Sequence, residues 1–293
     1  MTRIDAVPIL LERGRLDRTG EDRHWRATFG NGTLALAARL ARDRELDGRP
    51  RDGGRSSAAV RRKRRSSRLG WLLRVVFGAA AVCVVLSVLL VAALRYVPPI
   101  TSAVMILEPG PLRAIRYEWV GRDRIAIEIA RAVIAAEDQK FLTHNGFDVD
   151  SIQQALDDYR RGEGLRGAST ITQQVAKNLF LWNGRSFVRK ALEAYFALLL
   201  ESLLPKERIL ELYLNIAEFG PNVFGVQAAA RELLGTDASR LTAAEAALLA
   251  AVLPSPKRYS AVEPGPYVRG RQAQILAQMA LLDARGHYRG LVW

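Results

Sequence analysis

An uncharged apolar segment beside a dense basic cluster constrains this chain most. Residues 75–94 contain no charged side chain and are rich in Val, Leu and Ala. A helix of about 20 such residues spans a hydrocarbon core of about 30 Å. Trp71 and Tyr96 lie near its two ends, where amphipathic rings settle at the headgroup level. The pattern predicts a transmembrane anchor over residues 69–96.

The basic side chains lie mostly on one side of this segment. Residues 1–94 hold 19 basic and 9 acidic side chains, against 24 and 21 in residues 95–293. Because Lys- and Arg-rich flanks stay cytoplasmic, the N-terminus is predicted inside and the remainder outside. A cleaved signal peptide is one alternative, but such peptides lie at the extreme N-terminus and have shorter apolar segments. A buried core helix is the other, and a polybasic flank argues against it.

The charge distribution also argues against a nucleic-acid partner. A nucleic-acid-binding domain carries its basic excess on its folded part, whereas residues 95–293 are nearly balanced. Residues 1–68 are rich in Arg, Asp and Gly and predict a mostly disordered cytoplasmic tail. The only cysteine, Cys83, lies inside the apolar segment, so no intramolecular disulfide is expected. Residues 97–293 are therefore predicted to form one domain held by its apolar core.

Helical spacing dominates residues 97–293, and alternating strand patterns are scarce. Apolar residues at intervals of three and four lead up to Glu137 and place it near the end of a helix. Pro205 favours the start of another helix. Thr242 and Glu245 have the spacing of a capping box. The predicted fold class is mainly α.

Two polar motifs and a cationic stretch carry the chemistry. A carboxylate that deprotonates a sugar hydroxyl needs a partner surface to hold an anionic leaving group, and Lys, Arg, Ser, Thr and Gln side chains supply one. The combination indicates glycosyl transfer from a phosphate-linked sugar. The first motif is Glu137, Asp138, Phe141, His144 and Gly146, the second is Ser169, Thr170, Gln173, Gln174, Lys177 and Asn178, and the stretch is Arg185, Arg189, Lys190 and Glu193.

These motifs resemble, in type and order, those of the family-51 peptidoglycan glycosyltransferases. The resemblance spans residues 117–259, and several motifs in one order are far more specific than one short pattern. The chain lacks the Ser-x-x-Lys and Lys-Thr-Gly motifs of penicillin-binding domains, as monofunctional members of the family do. The resemblance implies a lysozyme-like helical glycosyltransferase domain with one N-terminal transmembrane helix.

The implied reaction polymerises lipid II, an undecaprenyl-linked disaccharide, into linear glycan strands with release of undecaprenyl diphosphate. The implied partners are lipid II, the growing glycan chain, membrane lipids, and proteins of cell-wall synthesis or division. The implied location is the inner membrane, with the catalytic domain in the periplasm. A glycan-cleaving enzyme with Glu137 as its acid is the alternative from another reaction class, since lysozyme-like folds host both. A non-catalytic scaffold of the wall-synthesis complex is the third hypothesis.

The resemblance assigns a role to each motif residue. Glu137 is the general base, against the plainer interpretation of a helix-end carboxylate. Positioned cations stabilise charge on phosphate oxygens, although any one of them can instead be a solvated surface charge. The cations assigned to the diphosphate are Lys177, Arg185, Arg189 and Lys190. The remaining substrate-binding residues are Ser169, Thr170, Gln173, Gln174 and Asn178.

Glu193 is the second predicted catalytic carboxylate. It follows Arg189 by four residues, so a plain helical ion pair is the simplest interpretation. The resemblance implies instead that it shapes the diphosphate site, through a Lys or Arg contact or through Mg²⁺ or Mn²⁺. No cofactor is required by this assignment, and Glu193 is the one candidate metal ligand.

The other residues of the first motif are predicted to support the loop after Glu137. They are Asp138, Phe141, His144 and Gly146. Direct proton transfer by His144 is the alternative, because histidine is a common general acid or base in catalysis. Apolar residues 179–182 are open to two interpretations, a helix end in the core or a lipid-contacting lip.

Overall fold

The apolar segment forms part of one long helix. The structure is a computed structural model and describes residues 55–111, 114–161, 169–184 and 186–293. The chain divides into two compact units, residues 1–75 and residues 76–293. Helix α1, Arg55–Ala93, contains the segment Arg68–Ala93, which is long and apolar enough to cross a membrane. It begins within the segment predicted as a tail, and residues 1–54 of that prediction lie outside the described residues.

Helices account for most of the described chain, which confirms the mainly α fold class. Two short 3-10 helices, Arg122–Arg124 and Ala238–Arg240, lie between longer elements. After α1 the α-helices are α2 (Ala103–Ile106), α3 (Ile127–Glu137), α4 (Val149–Arg160), α5 (Ile171–Phe180), α6 (Phe187–Leu203), α7 (Lys206–Ile216), α8 (Val226–Leu234), α9 (Ala243–Val252) and α10 (Pro266–Ala284).

One small sheet joins the segment before α3 to the turn after α7. Its strands are β1 (Arg116–Tyr117), β2 (Glu218–Gly220) and β3 (Val223–Phe224), in the order β1-β3-β2. Strand β1 runs parallel to β3, and β2 runs antiparallel to β3 with an irregular register. The sheet is too short to alter the helical character of the domain.

Local sequence sets several helix ends. The capping box predicted from Thr242 and Glu245 is confirmed at the start of α9. Pro205 is the residue before α7, so the helix begins one position later than a first-turn proline would place it. Thr170 caps α5 by accepting a hydrogen bond from the backbone N–H of Gln173. The last helix begins at Pro266, a favoured first position.

Two groups of packed helices contribute to one hydrophobic core. Helix α3 packs against α9 and α10, whereas α5 packs against α6 and α7. Ile129 and Val133 of α3 and Val175 of α5 are fully buried, as is most of α7. The carboxylate of Asp138, directly after α3, accepts a hydrogen bond from the backbone N–H of Ile171, at 3.0 Å. The C-terminal end of α3 therefore meets the N-terminal end of α5.

The end of α1 packs against α6 and α7. The hydroxyls of Ser87 and Tyr195 lie 2.7 Å apart. The guanidinium of Arg208 donates to the carbonyl of Leu94 at 2.7 Å, just beyond the helix end. These contacts fix the membrane-proximal end of α1 on the helical domain.

Candidate active site

Glu137 lies at the last position of α3 and lines an open depression of about 510 Å³. Its Oε2 accepts a hydrogen bond from Nε2 of Gln174 at 2.8 Å. The Oε1 of the same amide accepts from the hydroxyl of Tyr213 at 3.2 Å. Ser169 and Thr170 line the same depression from the start of α5. The carboxylate is thus half-buried, oriented by an amide and open to a ligand.

The surroundings of Glu137 raise its pKa. Burial is the largest cause, and the neighbouring Asp138 charge adds to it. The Gln174 hydrogen bond and the positive charge of Arg271 act in the opposite direction. Burial also raises the pKa of Tyr213 well above its usual range, so this phenol stays protonated and donates to Gln174. A carboxylate with a raised pKa is a stronger base when ionised.

His144 is held in one tautomer by its neighbours. Its Nδ1 accepts a hydrogen bond from the backbone N–H of Gly146 at 3.1 Å, so this nitrogen carries no proton. Its Nε2–H therefore donates to the Asp138 carboxylate, at 2.9 and 3.0 Å from the two oxygens. Asp138 in turn accepts from the backbone of Ile171. Both residues thus tie the loop after Glu137 to α5.

Gly146 and Phe141 complete this loop. Gly146 has a φ of +84°, and a Cβ there would lie 3.0 Å from Cγ of Glu201. Its carbonyl accepts a hydrogen bond from the hydroxyl of Thr170 at 2.7 Å. Phe141 is fully buried, and the ammonium of Lys206 lies 4.6 Å from the centre of its ring. Thr170 is predicted to bind substrate. Its hydroxyl donates to the carbonyl of Gly146 and accepts from the backbone N–H of Gln173, which caps α5.

Arg189 and Lys190 of helix α6 form a cationic group around Glu193. The buried carboxylate of Glu193 accepts from Nη1 of Arg189 at 2.6 Å and contacts the ammonium of Lys190. The Lys190 ammonium also reaches Oε1 of Gln173 at 3.4 Å and the hydroxyl of Ser169 at 3.5 Å. Because Ser169 lines the Glu137 depression, the cationic group lies at its border.

Lys177 is a cation without a bonded partner. Within the part of the chain that the structure describes, its ammonium makes no hydrogen bond or ion pair. Burial lowers the pKa of Lys177, and the charge of Glu193 opposes that shift. Arg189 also has a donor without an acceptor: its Nε is buried and makes no hydrogen bond among the described residues. Such donors are suited to an anionic ligand.

Two predicted residues are not joined to this arrangement. Asn178 is half-buried on α5, next to Lys177, and has no side-chain hydrogen bond within the described residues. Arg185 lies outside the described residues. The other predicted site residues fall into the loop after Glu137, the start of α5 or the cationic group.

The order of these groups along the chain matches a known family. The family model for transglycosylases matches residues 107–280. This chain belongs to the transglycosylase family. Curated relatives named "Biosynthetic peptidoglycan transglycosylase" include one from Xanthomonas campestris pv. campestris strain B100, 51% identical over 236 residues, 78% of this chain and 93% of the relative. The relative from Pseudomonas aeruginosa is 54% identical over 200 residues, 66% of this chain and 86% of its own length.

A third relative of the same name, from Shewanella oneidensis, is 46% identical over 216 residues, 72% of this chain and 91% of its own length. The predicted resemblance to peptidoglycan glycosyltransferases is thereby confirmed, as is the predicted enzyme class. As a transglycosylase, the chain is a glycosyltransferase of peptidoglycan synthesis. The apolar segment of α1 accords with a membrane-bound member of the family.

Sequence reasoning missed two groups near the transglycosylase site. Arg271 of α10 donates from Nη2 to the carbonyl of Ala136 at 3.0 Å, and its charge acts on Glu137. Its position in an otherwise ordinary helix gave no signal. Glu218 lies near Lys177, and burial raises the pKa of its carboxyl. The Glu-Phe-Gly sequence of residues 218–220, which lies within the region of family resemblance, was the available signal.

The contacts of Glu193 bear on the predicted metal. Within the described residues, no group of three or more His, Cys, Asp or Glu side chains could hold a metal ion. Both oxygens of Glu193 already contact cationic nitrogens, from Arg189 and Lys190. A divalent cation at this carboxylate would have to displace them. The donor set at Glu193 does not fit a resident metal ion.

Proposed function

We propose that this chain polymerises lipid II into linear glycan strands, with Glu137 as the general base. The observation that carries the proposal is helix α5. Its neighbouring Gln173 and Gln174 contact Lys190 and Glu137 respectively. One rigid element therefore holds a base beside an anion-binding group, which is the arrangement that transfer from a diphosphate-linked sugar requires.

Glu137 acts on the acceptor sugar. As the 4-hydroxyl oxygen of lipid II attacks the anomeric carbon of the growing chain, its proton passes to the Glu137 carboxylate. Burial raises the pKa of Glu137, which makes the ionised carboxylate a better proton acceptor. The Gln174 amide holds one carboxylate oxygen and leaves the other for the hydroxyl.

The cationic group acts on the leaving diphosphate. The bond from the anomeric carbon to the diphosphate oxygen breaks, and its electron pair stays on that oxygen. We propose that this charge is stabilised by Lys190, Lys177 and Arg189. Among the described residues, the ammonium of Lys177 and Nε of Arg189 have no hydrogen-bond acceptor, so both can donate to the diphosphate. Glu193 acts through Arg189 and Lys190 as a positioning residue. Arg185 and Asn178 are proposed as further substrate-binding residues on the basis of the resemblance alone.

No resident metal ion enters this scheme. The resemblance left Mg²⁺ or Mn²⁺ open as ligands of Glu193. We infer that cationic side chains take this role, because they already occupy both oxygens of that carboxylate. Equal activity of the protein with a chelator and of the protein supplied with Mg²⁺ would support this inference.

The proposed location is the inner membrane, with residues 1–68 as a cytoplasmic tail, 69–96 as the anchor and 97–293 as the periplasmic domain. The position of the basic cluster supports this orientation. The anchor keeps the domain beside the bilayer that holds the lipid of the substrate. Proteins of cell-wall synthesis or division are proposed as further partners.

The test uses the full chain purified in detergent and fluorescent lipid II. Gel separation before and after muramidase digestion shows whether glycan strands form. Long strands that muramidase digests, and that are absent with Glu137→Gln, are the expected result. Glu128→Gln, at the other end of α3, is the matched control and should retain activity. Full activity of Glu137→Gln would refute the assignment of the base.

Glycan cleavage is a second candidate because a raised pKa also suits a general acid. A glycosidase, however, has no anionic diphosphate to bind. The hydrogen-bond donors of Lys177 and Arg189 that lack an acceptor would then have no ligand. Incubation with pre-formed fluorescent glycan separates the two functions. Shortened strands would replace the polymerase proposal with a lytic one.

A further inference from the structure

A second depression lies where the chain leaves the membrane segment, and its lining is rich in arginine. It has a volume of about 370 Å³ and shares no lining residue with the Glu137 depression. Three guanidinium groups line it, from Arg95, Arg122 and Arg208. They come from three separate parts of the fold: the turn after α1, a 3-10 helix and the first turn of α7. None of these three arginines has a role in the transglycosylase reaction proposed above.

Arg208 has a donor that nothing satisfies. Its Nε donates to the carbonyl of Leu94 at 2.7 Å and its Nη1 to Glu211 at 2.8 Å. Its Nη2 is buried and has no hydrogen-bond partner among the described residues. The guanidinium also lies 5.2 Å from the ring of Trp119, which holds it in place. A buried, unpaired, charged donor is costly unless a ligand supplies an acceptor.

The other two arginines have donors available as well. Arg95 donates one side-chain hydrogen bond, to the carbonyl of Leu203 at 3.1 Å, and Arg122 donates one to the carbonyl of Val292 at 3.2 Å. A guanidinium carries five N–H donors, so most of theirs face no acceptor among the described residues. The adjoining start of α7 has no side-chain cap, because Pro205 precedes it. Its first N–H groups add positive potential.

Two carboxylates also line the depression. Glu211 is already neutralised, since one oxygen accepts from Arg208 and the other from the backbone N–H of Arg122. Asp123 is exposed on the 3-10 helix. Arg95 and Arg122 are therefore left with one solvated opposing charge, and the site keeps a positive excess. Convergent guanidinium groups of this kind match the geometry of phosphate oxygens.

The position along the chain identifies the source of the phosphate. Arg95 follows the end of the membrane segment at Ala93, and the ring of Tyr96 lies 5.9 Å from its guanidinium carbon. Trp119 and Tyr96 thus accompany the arginines, as aromatic rings do at the headgroup level. The membrane anchor of the proposed function sets this depth, and the inference depends on it. Guanidinium groups at the level of the headgroups are suited to the phosphate of an anionic lipid.

We propose that Arg95, Arg122 and Arg208 form a binding site for the phosphate of an anionic phospholipid of the bilayer. The phosphate of the lipid would bridge the turn after α1 to the start of α7. It would thereby fix the depth at which the catalytic domain sits on the membrane. The site is separate from the one that holds the diphosphate of the substrate.

The test measures lipid binding by the full chain in a non-ionic detergent. The probes are dihexanoyl phosphatidylglycerol, dihexanoyl phosphatidylcholine and inorganic phosphate, followed by native mass spectrometry and thermal unfolding. We expect one retained phosphatidylglycerol and a raised Tm, with neither effect from phosphatidylcholine. Inorganic phosphate should bind at least about tenfold more weakly, because it lacks the chains that the bilayer-facing surface holds.

The double variant Arg95→Gln/Arg122→Gln should lose about tenfold or more in phosphatidylglycerol affinity. It keeps Arg208 and its structural bonds, so folding is retained and its unliganded Tm checks this. Arg124→Gln, an exposed neighbour on the same 3-10 helix that does not line the depression, is the matched control. Unchanged affinity in the double variant, or equal binding of phosphatidylcholine, would overturn the proposal. Equal affinity for inorganic phosphate and for phosphatidylglycerol would overturn the proposal that the bound phosphate belongs to a lipid. None of these readouts needs glycan synthesis, so a failed polymerase assay would leave them interpretable.

Discussion

The amide of Gln174 holds the carboxylate of Glu137, with Nε2 of the glutamine 2.8 Å from Oε2 of the glutamate. Tyr213 fixes the amide from its other side and so decides which end faces Glu137. The phenol donates, the amide oxygen accepts, and the amide N–H is left to donate to the carboxylate. Because Gln174 lies on α5 and Tyr213 on α7, these two helices set the orientation of the Glu137 carboxylate.

Gln174→Met should weaken turnover, because the amide no longer orients the Glu137 carboxylate, and should also raise the pKa of Glu137. The Gln174 hydrogen bond lowers this pKa, so its loss raises the pKa further above that of a free glutamate. The acid limb of the kcat/KM profile should move to higher pH, and kcat should fall about tenfold. The exposed Gln153→Met on α4 is the control and should leave the profile in place. An unmoved limb in Gln174→Met would contradict this role of the amide.

Arg271 should act on the same carboxyl through its charge. Because its positive charge lowers the pKa of Glu137, Arg271→Gln should move the acid limb to higher pH, whereas Arg271→Lys should leave it close to that of the parent. Added salt screens exposed charges and should move the parent profile toward that of Arg271→Gln. Identical profiles of the Gln and Lys variants would show that Arg271 acts only by holding the carbonyl of Ala136.

Much of the site could be predicted from local patterns. Helical spacing placed Glu137 at a helix end, and the interval from Arg189 to Glu193 predicted their ion pair, which the structure contains. The contact of Lys190 with Ser169 could not be predicted, because it joins two elements through tertiary packing. Arg271 was missed for the same reason, since its partner Ala136 belongs to a helix far away in the sequence.

Residues 179–182 show the same limit on a smaller scale. The sequence left them open as a core helix end or a lipid-contacting lip. Leu179 and Leu181 are buried, whereas Trp182 is 43% exposed. Burial changes between neighbouring residues here because α5 ends at Phe180, and composition alone does not reveal which side chain turns outward.

His144→Gln should lower stability and leave the pH dependence unchanged. The glutamine can still donate to Asp138, but the backbone N–H of Gly146 loses its acceptor. The cost is about 1–2 kcal/mol for an unpaired buried donor. Thermal unfolding measures this loss, and the acid limb of kcat/KM should stay where Glu137 sets it. A limb that shifts with this substitution would instead give His144 a direct part in proton transfer.

Lys177→Met and Lys190→Met should both impair use of lipid II but change stability in opposite directions. Burial lowers the pKa of Lys177, so at neutral pH the folded protein holds its ammonium less favourably than the unfolded chain does. Lys177→Met should therefore raise the free energy of unfolding by about 1 kcal/mol. Lys190→Met removes a partner of the buried Glu193 and should lower it by about 1–2 kcal/mol.

The pH dependence of stability separates these two causes. The gain in Lys177→Met should be full at neutral pH and should vanish as the pH rises past about 10.4, where lysine is neutral in the unfolded chain as well. Thermal unfolding across this range measures it, and the apparent affinity for lipid II is compared in parallel. A Lys177→Met variant that is less stable than the parent would mean that the ammonium has a structural partner, and its assignment to the diphosphate would lose its main support.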